Sequence, residues 1–342
     1  MEIFALSLDR AVRDAPGWYQ GDFHCHTHHS DGTLAAAELA RLARAEGMDF
    51  LAITDHNTLD AYAHFGAPEG LCVIPGLEVT FDRGHYNVFG IVQDADWLGP
   101  VRRGPTQLHW AKQGLDLNDL LAASAADGLL NSINHPLLPP WAWLFEDAEL
   151  AHVHCLEIWN DPSWPDNRMG NPLALALWTD WLSAGYRITA IGGSDFHRPV
   201  NKPGVRKPPD RLGLPRTFVY AEQLAGQVYP IGAEVGAVDG DLVLEATVTP
   251  AGRGGVARLI GNGAILAEQT LPWAASPHAT HVLHHTARLA PDAPVWFRLE
   301  VLDGNGLLAA VTNPIFAGPR PAPVLTRYGD FVDVTQPALR AR

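Results

Sequence analysis

From Gly21 to about Ala221, short apolar runs alternate with helical patterns. Strands are predicted near 23–27, 50–54, 72–78, 86–92, 129–134, 155–159, 187–193 and 216–221, with a further short one at Ile3–Leu8. Apolar residues at helical spacing predict helices over Leu34–Glu46, Leu117–Ala126 and Leu173–Ala184. Thr33 reads as the N-cap of the first helix and Gly47 as its stop. The alternation predicts an α/β fold with a largely parallel sheet, and it fits a barrel and an open sheet equally well.

Past about residue 225 the pattern becomes one of strands alone. VLEATVTP, GVARLIGNGAILAE, HVLHHTARL and VWFRLEVLDGNGLLAAVTNPIF alternate apolar and polar positions, and Asp303-Gly304 with Asn305-Gly306 marks a hairpin. A small antiparallel β-sandwich is expected over 226–342, after an α/β domain over 1–225. The tail RYGDFVDVTQPALRAR is expected at the periphery.

Polar residues of one chemical kind recur where the apolar runs stop. The chain is organised around Asp22–Asp31, DFHCHTHHSD. Side chains alternate along an extended segment, so His24 and His26 share a face and Cys25 takes the other. Two such imidazoles form a natural pair of transition-metal ligands, with Asp31 in reach. His-x-His alone fits a His-rich surface loop better, and the rest of the chain reverses that reading. Further runs end in Asp55-His56-Asn57, in His135-Pro136 and in Asp195-Phe196-His197, and CVIPGLEV carries Glu78 within or beside its strand, with His85 soon after. His85 is expected just before a strand. Asp55 suits orientation of the His56 ring or the capping of a turn. Gly192-Gly193 reads as a close backbone approach.

Composition narrows the class. The 342 residues carry a net charge of −14, which disfavours binding to nucleic-acid polymers or anionic membranes. No apolar run is long enough to span a bilayer, and the N-terminus lacks a signal-peptide pattern, so a cytoplasmic location is expected. The three cysteines, Cys25, Cys72 and Cys155, sit in apolar runs and read as reduced core residues.

The motifs HCHTHHSDG, TDHN, GLEV, NHP and GGSDFH, in this order, resemble the PHP (polymerase and histidinol phosphatase) metallohydrolase family. WYQGDFHCHTHHSDG and the β-rich C-terminal part look most like its CehA/McbA-type branch. The joint AEQLAGQVYPIGAEVG is shorter than that branch ordinarily has. The resemblance implies a distorted (β/α)7 barrel followed by the sandwich. It implies that His24, His26, Glu78 and Asp195 bind one metal. Glu78 would bridge to a second held by His85 and His135, and Asp31, His56 and His197 would hold a third. Two or three divalent ions (zinc, manganese or iron) would then make a hydroxide nucleophile from a shared water and neutralise transition-state charge. The catalytic set expected is Glu78, Asp195, His197 and Arg198.

Two flanking segments bear on a small-molecule substrate. The run FHRPVNKPGVRKPPDRLGLPR holds Arg198, Lys202, Arg206, Lys207, Arg211 and Arg216, which suits a phosphate or simply a solvated linker. LLPPWAWLF, Trp159 and Trp164 suit an apolar pocket or a seal. A phosphoesterase acting on a small aromatic or nucleotide-like ester is expected. A carbamate, ester or amide hydrolase and a non-catalytic metal-binding module are the alternatives. Asn160 is a candidate substrate contact. His64, His109, His152 and His154 read as structural, and His278, His281, His284 and His285 as a solvated strand.

Overall fold

The apolar runs of the first part assemble into one eight-stranded sheet, in the order β7-β6-β5-β4-β3-β2-β1-β8. The strands are β1 Gly17–Asp22, β2 Phe50–Ile53, β3 Cys72–Phe81, β4 Gly84–Phe89, β5 Leu130–Ile133, β6 Cys155–Asn160, β7 Thr189–Gly193 and β8 Thr217–Ala221. The helices are α1 Ala36–Ala45, α2 Leu98–Val101, α3 Leu117–Ala126 and α4 Asn167–Ser183. This computed structural model describes residues 17–64, 70–102, 115–200, 207–221, 234–235, 240–249, 254–272, 280–290, 292–336 and 339. The strand expected at Ile3–Leu8, and Lys202, Arg206, His109, His278 and most of the 221–236 joint, lie outside them.

The sheet is mixed rather than largely parallel. Pairs β1–β2, β2–β3, β5–β6 and β6–β7 are parallel. Strand β4 runs antiparallel to both neighbours, and β8 antiparallel to β1. The sheet is nearly closed. A parallel bridge joins Cys25 to Phe196, and the His26 N–H donates to the Phe196 carbonyl at 2.9 Å, so the chain beyond β1 meets the chain beyond β7. Thr217 Oγ1 of β8 also accepts from the Gly192 N–H and donates to the Gly192 carbonyl.

Local chemistry accounts for the element ends. Ala36, Leu39, Ala40 and Ala43 bury one stripe of α1. Its N-cap is Ala35, whose N–H the Glu38 carboxylate accepts at 2.9 Å, and not Thr33. Thr33 instead donates its N–H to the His197 carbonyl at 2.8 Å, which ties it to the candidate site. Gly47 takes the left-handed φ of 74° at the helix stop. The first strand ends at Asp22, earlier than expected, because the Asp22 carboxylate folds back onto the His24 N–H and takes the chain out of the ladder. Helix α4 starts before Leu173, with Pro172 inside it.

Among the described residues, those in Met1–Asp180, Ile188–Leu224 and Leu325–Arg342 make one compact unit, and those in Trp181–Arg187 and Ala225–Val324 a second. The end of the chain is therefore not peripheral. Thr326 accepts from the Leu150 N–H, Tyr328 donates its N–H to Ala148, and the Tyr328 ring is fully buried against Trp143. A large ring removed from such a site leaves a cavity, so Tyr328→Ala is expected to cost about 3 kcal/mol. The check is urea unfolding, where the midpoint should fall at unchanged slope.

The second unit holds β9 Glu234–Val235, β10 Gly240–Val248, β11 Gly255–Gly261, β12 Ala264–Leu271, β13 His281–Leu289, β14 Val295–Asp303, β15 Leu308–Val311 and β16 Ile315–Ala317. Strands β10 and β13 form one sheet, and β12-β11-β14-β16-β9 the other, with β15 on β14. Val248 and Leu283 of the first sheet share a core with Ala257 and Leu271 of the second, as two layers packed face to face do. The pairings are antiparallel except β16–β9, which is parallel, so the expected all-antiparallel pattern does not hold at that edge. The hairpin at Asp303–Gly306 joins β14 to β15, with the Asp303 N–H donating to Leu307. On β13, His284 is exposed and faces Glu245 at 3.6 Å.

Candidate metal centre

All nine expected donors come to one edge of the eight-stranded sheet. His24 and His26 follow β1, His56 follows β2, His135 follows β5, and Asp195 and His197 follow β7. Glu78 lies within β3. His85 lies within β4, not before it. Because β4 runs backwards, its first residues sit at the edge where the parallel strands end.

Glu78 is the hub. Its Oε1 lies 3.3 Å from His24 Nε2, 3.2 Å from His85 Nδ1 and 3.5 Å from His135 Nε2. Its Oε2 lies 2.7 Å from His56 Nδ1 and 3.6 Å from His26 Nε2. Asp195 Oδ1 lies 3.4 Å from His24 Nε2 and 3.1 Å from His26 Nε2. Asp31, at the exposed rim, lies 3.2 Å from His197 Nε2 and 3.6 Å from His56 Nε2. The donors form four overlapping sets: His26-Asp31-His56-His197, His24-His26-Glu78, His24-His135-Asp195 and His56-Glu78-His85, each with its atoms within 4.8 Å of one another. His135 thus also groups with His24 and Asp195, beyond the partners expected for it. His135 and Asp195 hold left-handed φ angles of 28° and 50°, a strain that side chains converging on a site sustain.

Divalent cations fit this donor set. Imidazole and carboxylate are ligands for zinc, manganese and iron. His24 Nε2, Glu78 Oε2 and His135 Nδ1 are buried atoms without a hydrogen bond, although charged or polar groups crowd around them. A cation at Glu78 would use two of those three lone pairs at once.

Outer contacts fix the rings. Glu157 Oε1 lies 2.9 Å from His24 Nδ1, Thr80 Oγ1 lies 2.6 Å from His56 Nδ1, and the Asp195 carbonyl lies 2.7 Å from His197 Nδ1. Asn134 Nδ2 donates to Glu78 Oε1 at 2.8 Å. Asp55 orients neither His56 nor a turn cap alone. It accepts from the Thr27 N–H at 2.7 Å, from Thr27 Oγ1 and from Ser30 Oγ, and Ser30 Oγ lies 3.4 Å from His26 Nδ1. Asp22 accepts from the N–H groups of His24, Ser194 and Gly213, and from the Ser194 hydroxyl. Glu157 and Asp22 were not candidates from the sequence. For Glu157 the available signal was a carboxylate embedded in the apolar run CLEIW; Asp22 stood at the head of the histidine stretch itself.

Arg198 follows His197, and its N–H donates to Asp210 at 3.2 Å. Its guanidinium makes no ion pair with a described residue. Lys207 is held by Asp161 at 2.9 Å and by Asp210, and Arg216 by Gln20 and Glu46. Two of the expected phosphate cations are therefore already engaged. Asn160 is buried, and its amide donates to Glu157 at 3.1 Å, which removes it as a substrate contact. Trp143 is a core residue. Half-buried Trp141 and Trp164 meet edge to face at 5.1 Å. Cys25 and Cys155 are buried, Cys72 partly so, and all three are free thiols. His154 Nδ1 accepts the Asn131 N–H, a structural role.

Residues 22–136 match the family model described as the PHP domain. Over this third of the chain the sequence is similar to PHP domains. A 62-residue stretch is 40% identical to a 5'-3' exoribonuclease of Haemophilus influenzae, and the match spans 17% of this chain and 23% of that protein, well under two thirds of its length. Among solved structures, similarity extends to a two-domain Bacteroides vulgatus protein containing a predicted PHP-like metal-dependent phosphoesterase. There the identity is 17% over 87% of this chain and 96% of that one, with a TM-score of 0.47. A lesion-specific endonuclease of Pyrococcus furiosus is 16% identical over 54% of this chain and 49% of its own, at a TM-score of 0.40. Among the described residues, no helix is long and apolar enough to cross a membrane.

The charge balance of the nine donors sets how a metal would enter. Burial pulls the His197 imidazole down, but its hydrogen bond to Asp31 and the Asp195 and Asp31 charges outweigh that and raise it to about 9. Burial lowers His26 to about 4, with the nearby His197 and His56 rings adding to it. Burial alone would raise Glu78, yet the His24, His85 and His56 charges hold it well below the usual carboxylate range. At neutral pH the metal-free centre therefore keeps a proton on His197 that a cation must displace. Burial lowers His24 too, but the Asp195, Glu157 and Glu78 charges outweigh that and raise it as well, so metal affinity is expected to rise with pH through the range near 9 where His197 deprotonates. Calorimetric titration in buffers of different ionisation enthalpy should give different binding heats, and buffer-independent heats would contradict this.

Proposed function

We propose that this chain is a metal-dependent hydrolase, with phosphoester hydrolysis as its reaction. The observation that carries the reading is Glu78, a fully buried carboxylate whose two oxygens face separate groups of imidazoles. His24, His26, Glu78 and Asp195 would hold one cation. Glu78 would bridge to a second with His85 and His135, and Asp31, His56 and His197 would hold a third. The distorted seven-stranded barrel and the CehA/McbA-type branch belong to the same reading. When bound, the ions would supply water activation and charge neutralisation.

The chain's own residues do the rest. Glu78 and Asp195 present negative charge to the ions. The Asp195 carbonyl orients His197. Arg198, next to His197 in the chain and with no ion pair from its guanidinium to a described residue, would neutralise a non-bridging phosphate oxygen. The Trp141–Trp164 pair favours an aryl or nucleobase-like leaving part, and it also supports the second reading, hydrolysis of an aryl carbamate or related ester. All nine donors belong to the first unit, so the second unit supplies none.

Turnover of an aryl phosphate, an aryl phosphodiester and an aryl carbamate by one metal-loaded preparation tests this. Arg198→Ala is expected to lower kcat/KM for the phosphate substrates by about 10²-fold, the scale of losing one group that stabilises developing charge. The carbamate reaction should change little. A carbamate preference indifferent to the substitution would favour the second reading. Silence on all three with metal bound would point to a non-catalytic module.

A further inference from the structure

Glu157 of β6 is a carboxylate buried to 1% exposure, and it touches two of the proposed ligands at once. Its Oε1 lies 2.9 Å from His24 Nδ1. Its Oε2 accepts the His135 backbone N–H at 2.8 Å and the Asn160 side-chain N–H at 3.1 Å. Asn160 is itself bracketed from α4. Asn167 Nδ2 donates to Asn160 Oδ1 at 3.0 Å, and Asn171 both donates to the Asn160 carbonyl at 2.8 Å and accepts its N–H at 3.0 Å. The β6–β7 register shifts between Glu157 and Trp159, a local irregularity of the kind that re-aims side chains beside functional sites. Gly193 leaves the space the carboxylate occupies, since a Cβ there would lie 2.6 Å from Glu157 Oε1.

We propose that Glu157 is a positioning residue that locks His24 with its proton on Nδ1, aims Nε2 at the Glu78 centre, and fixes the His135 backbone with its other oxygen. The proposal rests on reading the centre as a metal site. The reasoning is a donor count. Both oxygens of Glu157 accept, and three N–H groups converge on them. A glutamine of the same shape offers one accepting oxygen and one donating nitrogen. If its nitrogen faces His24, the ring must accept on Nδ1, and the proton moves to Nε2, where the metal should be. If its nitrogen faces His135 and Asn160, donors oppose donors in a buried site. A carboxylate is required in either orientation, which a purely space-filling role would not demand. The effect reaches ligands after two different strands, β1 and β5.

Two measurements test this. Histidine-labelled, metal-free protein without substitution should show a slowly exchanging, low-field imidazole Nδ1–H proton that disappears in His24→Gln. Zinc affinity by chelator competition should fall about 10- to 100-fold in Glu157→Gln, the scale of losing an outer-shell partner, while the far-UV spectrum is kept. Absence of that Nδ1–H resonance from the unsubstituted protein overturns the proposal, as does a folded Glu157→Gln that binds zinc like its parent. Should Glu157→Gln not fold, the resonance alone decides. If the unsubstituted chain binds no divalent ion, the metal reading fails, and the resonance still reports separately whether Glu157 holds His24.

Discussion

Glu78→Gln is expected to strip the centre of metal and to reduce turnover by about 10³-fold or more, beyond the roughly 10²-fold cost of losing an outer-shell partner. Shape is conserved in this substitution, so the loss comes from charge and donor type. Oε1 now faces His24, His85 and His135, and Oε2 faces His56 and His26. An amide nitrogen in either place presents hydrogens to imidazole nitrogens and cannot ligate. The remaining oxygen is neutral and serves one group of rings only. Both proposed neighbouring sites lose a ligand together, so elemental analysis should fall by more than one ion per chain. A single-ligand rim substitution such as Asp31→Asn should instead remove at most one ion, since Asp31 contacts only His56 and His197 within this cluster. Full turnover by metal-depleted Glu78→Gln would end the hydrolase mechanism proposed above.

His56, His135, Asp195 and His197 were legible in the sequence because they stand where apolar runs stop, and strand ends at one edge of a sheet converge whatever its closure; Glu78 and His85, inside β3 and β4, were legible only through the motif order. Direction was not legible. Alternation along GHYNVF reads the same for a parallel or a reversed strand, so the backward run of β4, and with it the reason His85 reaches the centre, needed the pairing itself. Carboxylates were legible only where a known motif held them. Asp55 sits beside His56 in sequence, yet the loop returns Thr27 and Ser30 to it, and its charge is spent on the backbone that carries His26. Glu157 lies in a run that reads as ordinary strand and Asp22 at the head of the histidine stretch, and the worth of both depends on N–H groups brought from distant segments. Tyr328 was misplaced for the same reason. Its partner Trp143 is remote in the chain, and pattern alone does not pair two rings across such a distance.

Gly193→Ala is expected to damage the centre and the fold together, while Gly192→Ala is expected to be tolerated far better. A Cβ at Gly193 would lie 2.4 Å from the His24 Cβ and 3.1 Å from the His24 nitrogen, as well as against Glu157. None of these is the loose end of a flexible chain. His24 is held through its N–H by Asp22, and its ring is held by Glu157. Relief therefore requires moving the β1 extension away from β7, which also carries the Cys25–Phe196 bridge that closes the sheet. Overpacking of this kind costs about 1–3 kcal/mol, and here the displaced group is a proposed ligand. At Gly192 the nearest atoms are Pro215 Cγ at 3.1 Å, Pro215 Cβ at 3.3 Å and the Trp159 carbonyl at 3.3 Å, each of which needs to give only a few tenths of an ångström, far less than the 2.4 Å approach at Gly193 demands. Paired unfolding curves and metal analyses separate the two positions. Gly193→Ala should lower the urea midpoint and lose metal even at temperatures where it is folded. Gly192→Ala should keep its metal and most of its stability. Equal metal content in both would mean that the contact between the β7 end and His24 does not set the geometry of the centre, and that the glycine pair serves the sheet alone.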